Sequence, residues 1–227
     1  MIKAAVFDLD HTLFDRYATI KILVPQLRKH FELGDGITDE YFIQELSYAD
    51  KNFVHKGWKG IYNHLVSKGI FKTAPSFEEY TEIVLRHFKH IAVKFDFAES
   101  TLKNIKSAGY KVGLITNGDA QLQYKKLGML GLTENFDEII VSGETPYEKP
   151  DKRIFLMMAD KMGISPDEIL YIGDHPLNDI EGSRSAGMIP VWVKTTGTWI
   201  YPEIEKPELQ VDTVAEIPEL LSEINGI

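Results

Sequence analysis

Short runs of consecutive apolar residues alternate with amphipathic stretches over most of the chain. The runs are Ala4–Phe7, Val112–Ile115, Ile139–Val141, Ile169–Ile172 and Val191–Val193. Between them, apolar residues recur every three or four positions, as at Leu102, Ile105 and Ala108, which is the spacing of one helix face. Runs without polar alternation are typical of strands buried on both faces. The pattern therefore predicts an α/β fold, with a parallel sheet covered by helices.

The stretch between the first and second runs has helical periodicity instead. Ile20, Leu23 and Leu27 share one helix face, and Ser76 followed by Glu79 has the sequence of a helix-capping box. Roughly eighty residues of helix are too long for a simple crossover between neighbouring strands. We therefore expect an inserted all-α domain. The predicted boundaries are residues 1–15 and 96–227 for the α/β domain and 16–95 for the insert.

Polar residues follow the predicted strands at their carboxyl ends. They are Asp8 and Asp10 after the first run, Thr116, Asn117 and Gly118 after the second, Lys149 after the third, and Asp174, Asn178 and Asp179 after the fourth. Ligands of open parallel sheets bind beyond the carboxyl ends of the strands. The sequence thus predicts one site that combines carboxylates, one ammonium group and a backbone segment able to bind an anion.

A cation is expected among these carboxylates. Two like charges about 4 Å apart repel by about 4 kcal/mol at an effective dielectric constant of about 20, so Asp8, Asp10 and Asp174 cannot all stay ionised without compensation. Cysteine is absent from the sequence, which excludes thiolate ligands and thiolate nucleophiles. A metal must therefore be held by oxygen or imidazole, and a site dominated by carboxylates favours a hard cation.

Four ordered motifs resemble those of the haloacid dehalogenase (HAD) superfamily. They are Asp-x-Asp-x-Thr at 8–12, Thr-Asn-Gly at 116–118, Lys-Pro-Asp at 149–151 and Gly-Asp-x-x-x-Asn-Asp at 173–179. The resemblance extends from residue 3 to about residue 195. It implies a Rossmann-like core, with the insert as a helical cap, and Mg²⁺-dependent transfer of a phosphoryl group to an aspartate.

The resemblance gives each motif residue an expected role. Asp8 is the nucleophile, and Asp10 is the general acid and base. Mg²⁺ is expected on Asp8, the backbone carbonyl of Asp10 and Asp174, with Asp179 acting through water or by orienting its neighbours. Thr116 and the backbone of Asn117 and Gly118 are expected to bind phosphate, and Lys149 is expected to neutralise charge. A local side-chain hydrogen bond from Thr12 is expected to fix the turn after the first strand. Asn178 is expected to have a supporting role. Capping of the helix through Ile180 is the alternative for Asp179 and Asn178.

The net charge and the hydropathy of the sequence limit the kinds of partner that we expect the protein to bind. The chain has 227 residues and a net charge of −9, which argues against binding to the phosphates of a nucleic acid. Neither a secretory signal nor a membrane-spanning stretch is recognisable in the sequence. We expect a soluble protein of the cytoplasm whose partner is a small phosphorylated metabolite. Its oligomeric state is not predicted.

The expected function is Mg²⁺-dependent hydrolysis of a small phosphomonoester, either a nucleoside monophosphate or a sugar phosphate. Asp10 favours ester hydrolysis over dehalogenation, because a halide leaves without a proton. A phosphomutase is one alternative. A phosphonate hydrolase is another, and would require a Schiff-base lysine from the insert, where Lys51, Lys56 and Lys59 are present. A phospho-acceptor signalling or binding module is the remaining alternative.

Overall fold

A six-stranded parallel sheet forms the centre of the α/β part of the chain. The structure, a computed structural model, describes residues 1–53, 57–196, 199 and 201–226. The strands are β1 (Ala4–Phe7), β2 (Lys111–Thr116), β3 (Glu138–Val141), β4 (Ile169–Gly173), β5 (Ile189–Val193) and β6 (Leu209–Val211), in the spatial order β3-β2-β1-β4-β5-β6. β1 is fully buried and pairs in parallel with both β2 and β4. The predicted parallel α/β fold is confirmed.

Most of the chain between β1 and β2 forms a separate helical unit, Arg16–Val93. Its helices are α1 (Arg16–Leu27), α2 (Asp39–Phe53), α3 (Gly57–Ser67) and α4 (Phe77–Phe88). Their apolar faces enclose a core in which Phe42, Leu65 and Tyr80 are fully buried. The Ser76 side chain accepts a hydrogen bond from the Glu79 N–H at 3.0 Å, which caps α4 at its N-terminus.

The second compact unit comprises Met1–Asp15 and Lys94–Ile227. It contains the sheet together with α5 (Ala98–Ser107), α6 (Ala120–Leu130), α7 (Lys152–Met162), α8 (Gly182–Ser185) and α9 (Ile217–Asn225). Phe155 of α7 packs edge-on against Tyr171 of β4, with ring centroids 4.9 Å apart, in a fully buried apolar cluster. No helix among the described residues is both long and apolar enough to cross a membrane.

Two elements depart from the sequence pattern. β6 has three residues, and Gln210 at its middle is exposed, so the strand leaves no apolar run to detect. Pro176–Glu181 is a π-helical turn that precedes α8, where the spacing of Ile180, Ser183 and Ala186 indicates a regular helix that ends at Gly187. This turn brings Asp179 back to the end of β4.

Candidate active site

The central strands bring their polar residues to one edge of the sheet. Asp8 follows β1 directly, and its N–H donates to the Ile172 carbonyl at 2.9 Å, which continues the ladder between β1 and β4. Asp174 follows β4, and the indole N–H of Trp192 donates to its backbone carbonyl at 3.0 Å. Because β1 and β4 are parallel neighbours, the two carboxylates emerge side by side.

Three buried carboxylates form a cluster at this edge. Asp8, Asp174 and Asp179 each offer an oxygen, and these atoms all lie within 4.8 Å of one another. A methyl group on Gly173 would lie 2.4 Å from Cγ of Asp179, so the glycine admits this carboxylate against the strand end. Oxygen ligands in a compact, buried group fit a hard divalent cation such as Mg²⁺. Each of the three residues could supply one ligand atom.

Lys149 reaches into this carboxylate cluster from the segment after β3. Its ammonium group lies 2.5 Å from Oδ1 of Asp8 and 2.7 Å from Oδ1 of Asp179, and its side chain is 3% exposed. The Tyr171 hydroxyl lies 3.1 Å from the same ammonium group. Burial alone would lower the pKa of Lys149, but the carboxylates of Asp179 and Asp8 outweigh it and hold that pKa well above its ordinary value. The two carboxylates therefore favour the protonated form of Lys149.

One ammonium group does not neutralise the carboxylate cluster. Burial, together with repulsion from Asp179 and Asp10, raises the pKa of Asp8 to about 7, although Lys149 opposes the shift. Burial and repulsion from Asp179 and Asp8 likewise raise the pKa of Asp174 well above its ordinary value. Without a metal, protons would therefore take up part of the negative charge of these carboxylates, and a divalent cation bound there would take the place of those protons.

Hydrogen bonds within the protein occupy polar groups of the loop after β2. The Gly118 N–H donates to Oγ of Ser142 at 3.0 Å, and phosphate binding by Gly118 stays a prediction. Asn117 uses its side chain as a clamp: its amide donates to the Lys149 carbonyl and accepts from the Lys149 N–H, both at 2.9 Å. Asn117 thereby fixes the backbone that carries Lys149. Thr116 is buried at the end of β2.

Thr12 and the turn after β1 require a correction. The Thr12 hydroxyl is buried and has no hydrogen-bond partner among the described residues, so the predicted side-chain bond is absent there. The Leu9 carbonyl holds the turn instead, accepting from the N–H groups of Leu13 at 3.0 Å and Phe14 at 2.9 Å. Backbone hydrogen bonds therefore fix the turn that the Thr12 side chain was expected to fix.

The turn after β4 decides between the two interpretations of Asp179. His175 caps this turn, because its Nδ1 accepts from the N–H groups of Leu177 and Asn178 at 3.2 and 3.1 Å. The Asp179 carboxylate accepts from the His175 N–H at 2.9 Å and from Lys149, and it is therefore part of the site rather than a helix cap. Asn178 contributes its backbone N–H to the turn, which is a supporting contact.

Asp10 faces two residues of α6 that the sequence analysis missed. Lys126 donates to both of its carboxylate oxygens at 2.8 Å, and Gln123 lies 3.3 Å from Oδ2. Both side chains are buried on the helix face that also carries Leu127 and Leu130. Both residues are polar but stand at core-facing positions of the helix that follows the Thr-Asn-Gly motif, and this pattern could have indicated them from the sequence.

Tyr171 lies within the apolar run that predicts β4, so the sequence did not indicate that its hydroxyl contacts Lys149.

Comparisons with known proteins agree with the motifs. Glyceraldehyde 3-phosphate phosphatase of Methanothermobacter thermautotrophicus is 30% identical over 97% of this chain and 98% of its own length. Phosphoserine phosphatase of Thermus thermophilus is 37% identical over 53% of this chain and 48% of its own. The magnesium-bound structure of the HAD-hydrolase YfnB from Bacillus subtilis has the same fold, with a TM-score of 0.76 and 23% identity over 100% of this chain and 99% of that one.

A family model gives the decisive match. It covers residues 5–193, which include all four motifs and the helical unit. The resemblance predicted from the motifs is thereby confirmed. The chain belongs to the haloacid dehalogenase-like hydrolases, and it is an enzyme of that family.

Proposed function

We propose that the protein is a Mg²⁺-dependent phosphatase that hydrolyses a small phosphomonoester through an aspartyl-phosphate on Asp8. The observation that carries the proposal is the convergence of Asp8, Asp174 and Asp179 with Lys149 at one sheet edge. Asp10 stands two residues beyond Asp8, where a leaving alkoxide needs a proton donor. The phosphatases that align with this chain support the same reaction type.

The metal would be held by carboxylate oxygens of Asp8 and Asp174 and by the Asp10 carbonyl, with Asp179 behind them. Bound there, it would polarise the phosphoryl group and offset negative charge on the transferring oxygens. Lys149 supplies a fixed positive charge beside the attacking carboxylate, where charge develops in the transition state.

Two chemical steps follow from the side chains. In the first, a carboxylate oxygen of Asp8 attacks phosphorus, the bond from phosphorus to the ester oxygen breaks, and Asp10 gives a proton to the leaving alkoxide. In the second, Asp10 removes a proton from water, the water oxygen attacks phosphorus, and the bond to Asp8 breaks. The products are an alcohol and inorganic phosphate.

Thr116 would bind a phosphate oxygen during both steps. Its Oγ1 accepts a hydrogen bond from the Gln123 amide at 2.6 Å, which leaves the hydroxyl hydrogen to donate to an anion. The backbone N–H of Asn117 would be a second donor. The N–H of Gly118 stays a predicted third donor, and it would have to exchange its Ser142 partner for the phosphate.

The proposed substrate class is a small phosphorylated metabolite, with glyceraldehyde 3-phosphate the first compound to test. The phosphatase named for that compound aligns over nearly the whole length of both chains. Other sugar phosphates, phosphoserine and nucleoside monophosphates complete the panel. Action in the cytoplasm, without a nucleic acid or membrane partner, stays a prediction, and so does closure of the helical unit as a cap.

Two enzymatic alternatives have distinct signatures. A phosphomutase would return the phosphoryl group to its product and release little inorganic phosphate. A phosphonate hydrolase would need a Schiff-base lysine, yet the Lys59 ammonium lies 4.3 Å from the Phe77 ring centroid within the helical unit. Lys56 lies outside the described residues. Inactivation by borohydride in the presence of substrate would favour the phosphonate hydrolase.

The test is release of inorganic phosphate from the substrate panel by purified protein with Mg²⁺. We expect steady release from at least one small phosphomonoester, loss of activity in excess chelator, and recovery when Mg²⁺ is restored. Full activity in excess chelator would contradict the metal assignment. Absence of phosphate release across the panel would contradict the phosphatase proposal.

A further inference from the structure

Lys126 and Gln123 of α6 are buried although both are polar. Lys126 is 6% exposed and Gln123 is 4% exposed, on the face of the helix that packs into the core. Burying an ammonium group is costly unless a charge or hydrogen-bond partner compensates it. These side chains therefore call for an explanation other than packing.

The compensation for Lys126 is the Asp10 carboxylate. The ammonium group lies 2.8 Å from each oxygen of Asp10, and 4.7 Å from the centroid of the Phe14 ring. Phe14 belongs to the same turn, since its carbonyl accepts from the His11 N–H at 3.0 Å. Contacts to both oxygens at once oppose rotation of the carboxylate away from Lys126.

Gln123 connects the same carboxylate to the phosphate-binding loop. Its side-chain amide lies 2.6 Å from Oγ1 of Thr116, 2.8 Å from the Asn117 carbonyl and 3.3 Å from Oδ2 of Asp10. One amide group thus contacts the residue that would bind phosphate and the residue that would transfer the proton. A substitution in α6 that moves Gln123 would therefore affect both Thr116 and Asp10.

We propose that Lys126 is a positioning residue for the proposed reaction, and that it acts by holding the Asp10 carboxylate in the orientation from which Asp10 transfers protons. This inference rests on the proposed phosphatase function. The Asp10 side chain is 26% exposed and follows β1 on a turn, so without an anchor its carboxylate has room to rotate. Proton transfer needs a donor within about 2.6–3.2 Å of the reacting oxygen, and misplacement by about 1 Å can cost about 100-fold.

The first measurement uses two substrates that differ in their need for a proton donor. β-Glycerophosphate has an alkyl leaving group, whereas p-nitrophenyl phosphate releases a stable phenolate. In Lys126→Met we expect kcat for β-glycerophosphate to fall roughly 10- to 100-fold, with KM changed less than about 3-fold. The single-turnover release of nitrophenolate should fall less than about 3-fold, because that step needs little acid assistance. Lys125→Met, at the exposed neighbouring lysine, is the matched control and should equal wild type.

The second measurement asks whether Lys126 acts through Asp10. Asp10→Asn should lower turnover of β-glycerophosphate by more than about 100-fold. Lys126→Met added to Asp10→Asn should then cause no further loss. Lys126→Arg, which keeps a cation beside the carboxylate, should recover a large part of the activity that Lys126→Met loses.

Each outcome decides the matter. Equal losses on both substrates, a large change in KM, or a further loss in the Asp10→Asn background would overturn the positioning role. If Lys126→Met does not fold, Lys126→Gln takes its place, because it keeps a polar side chain at this buried position but removes the ammonium group that contacts both Asp10 oxygens, and the same difference between the two substrates is expected. A wild-type protein that releases no phosphate from these two substrates or from any compound of the metabolite panel would instead reveal failure of the proposed function, which the variants are not needed to detect.

Discussion

The two units of the molecule bury charge in opposite ways. In the helical unit, Arg16 and Asp50 pair with each other through two hydrogen bonds of 2.7 and 2.6 Å, and the guanidinium lies 5.3 Å from the centroid of the Phe88 ring. In the α/β unit, Lys149 faces a cluster of three carboxylates. Opposite charges in direct contact compensate each other, whereas a cluster of three carboxylates around one ammonium group retains a demand for positive charge. The first arrangement is expected to stabilise the fold, and the second to bind and react.

The largest effect is expected for Asp8→Asn. Removing the nucleophile should lower activity by about 10⁴-fold or more, because the remaining groups cannot form the covalent intermediate. In the metal-free protein the same substitution should leave the melting temperature unchanged or raise it, since it removes one of the repelling carboxylates. Phosphate release and thermal unfolding in chelator measure the two expectations.

The control for Asp8→Asn is Asp160→Asn, an exposed position on α7. It should change neither activity nor stability. Turnover retained by Asp8→Asn would remove the nucleophile assignment. A lower melting temperature in chelator would show that the carboxylate cluster is not over-charged.

Asp50→Asn, in the helical unit, should lower the stability of the protein, in contrast to Asp8→Asn. It breaks a buried ion pair, which typically costs about 3–5 kcal/mol in the free energy of unfolding. Denaturant unfolding of the intact protein measures the loss. Glu82→Gln removes the exposed pair between Glu82 and Arg86 on α4 and should cost less than about 1 kcal/mol. Similar effects of the two substitutions would mean that burial does not distinguish the pairs.

How far the sequence predicted this arrangement depends on the residue. Continuous apolar runs located β1 to β5, because strands buried on both faces carry no polar positions. Asp8, Lys149 and Asp174 were found because each immediately follows such a strand or stands in a motif. A sequence pattern relates a residue only to its neighbours in the chain. It therefore predicts a site residue when that residue's position is set by the adjacent strand or motif.

Tertiary contacts explain what the sequence left out. Tyr171 and Lys126 lie in regular elements, and their polar atoms meet the site only after the sheet and α6 pack together. The free N–H expected at Gly118 was lost to Ser142, 24 residues away. A π-helical turn rather than a regular helix directs Asp179 toward Lys149. Neither a motif nor a periodicity encodes such pairings.

Divalent cations should stabilise the α/β unit through the same imbalance. At a Mg²⁺ concentration of about 100 times its Kd, binding to the folded state adds about 2.7 kcal/mol to the free energy of unfolding. Asp174→Asn should lose most of that increment, and Asp160→Asn should keep it. Thermal unfolding with chelator and with added Mg²⁺ gives the comparison. An equal increment in Asp174→Asn would place the cation elsewhere.

The smallest effect is expected where two similar groups meet at the surface of the helical unit. Nε2 of exposed His30 and Nε2 of half-buried His87 lie 2.9 Å apart, a hydrogen bond that requires one ring to be neutral. Partial burial, then the neighbouring His30, Arg86, Lys29 and His90, lower the pKa of His87 from its ordinary value of 6.5. The unfolded chain therefore takes up this proton first as the pH falls.

Acidification below about pH 6.5 should consequently remove the part of the stability that depends on His87, since this ring binds its proton less readily in the folded state than in the unfolded state. Protonation of Asp8, whose pKa is raised, acts in the opposite direction. Solvent screens the pair, so the decline should stay below about 2–4 °C in melting temperature, the shift that 1 kcal/mol produces in a chain of this length. His87→Gln should flatten the profile between pH 7 and pH 5, whereas His11→Gln should leave this component in place. If the pH dependence of the melting temperature is the same in His87→Gln as in wild type, solvent screens the His30–His87 pair completely. Uncompensated charge would then affect stability only where it is buried.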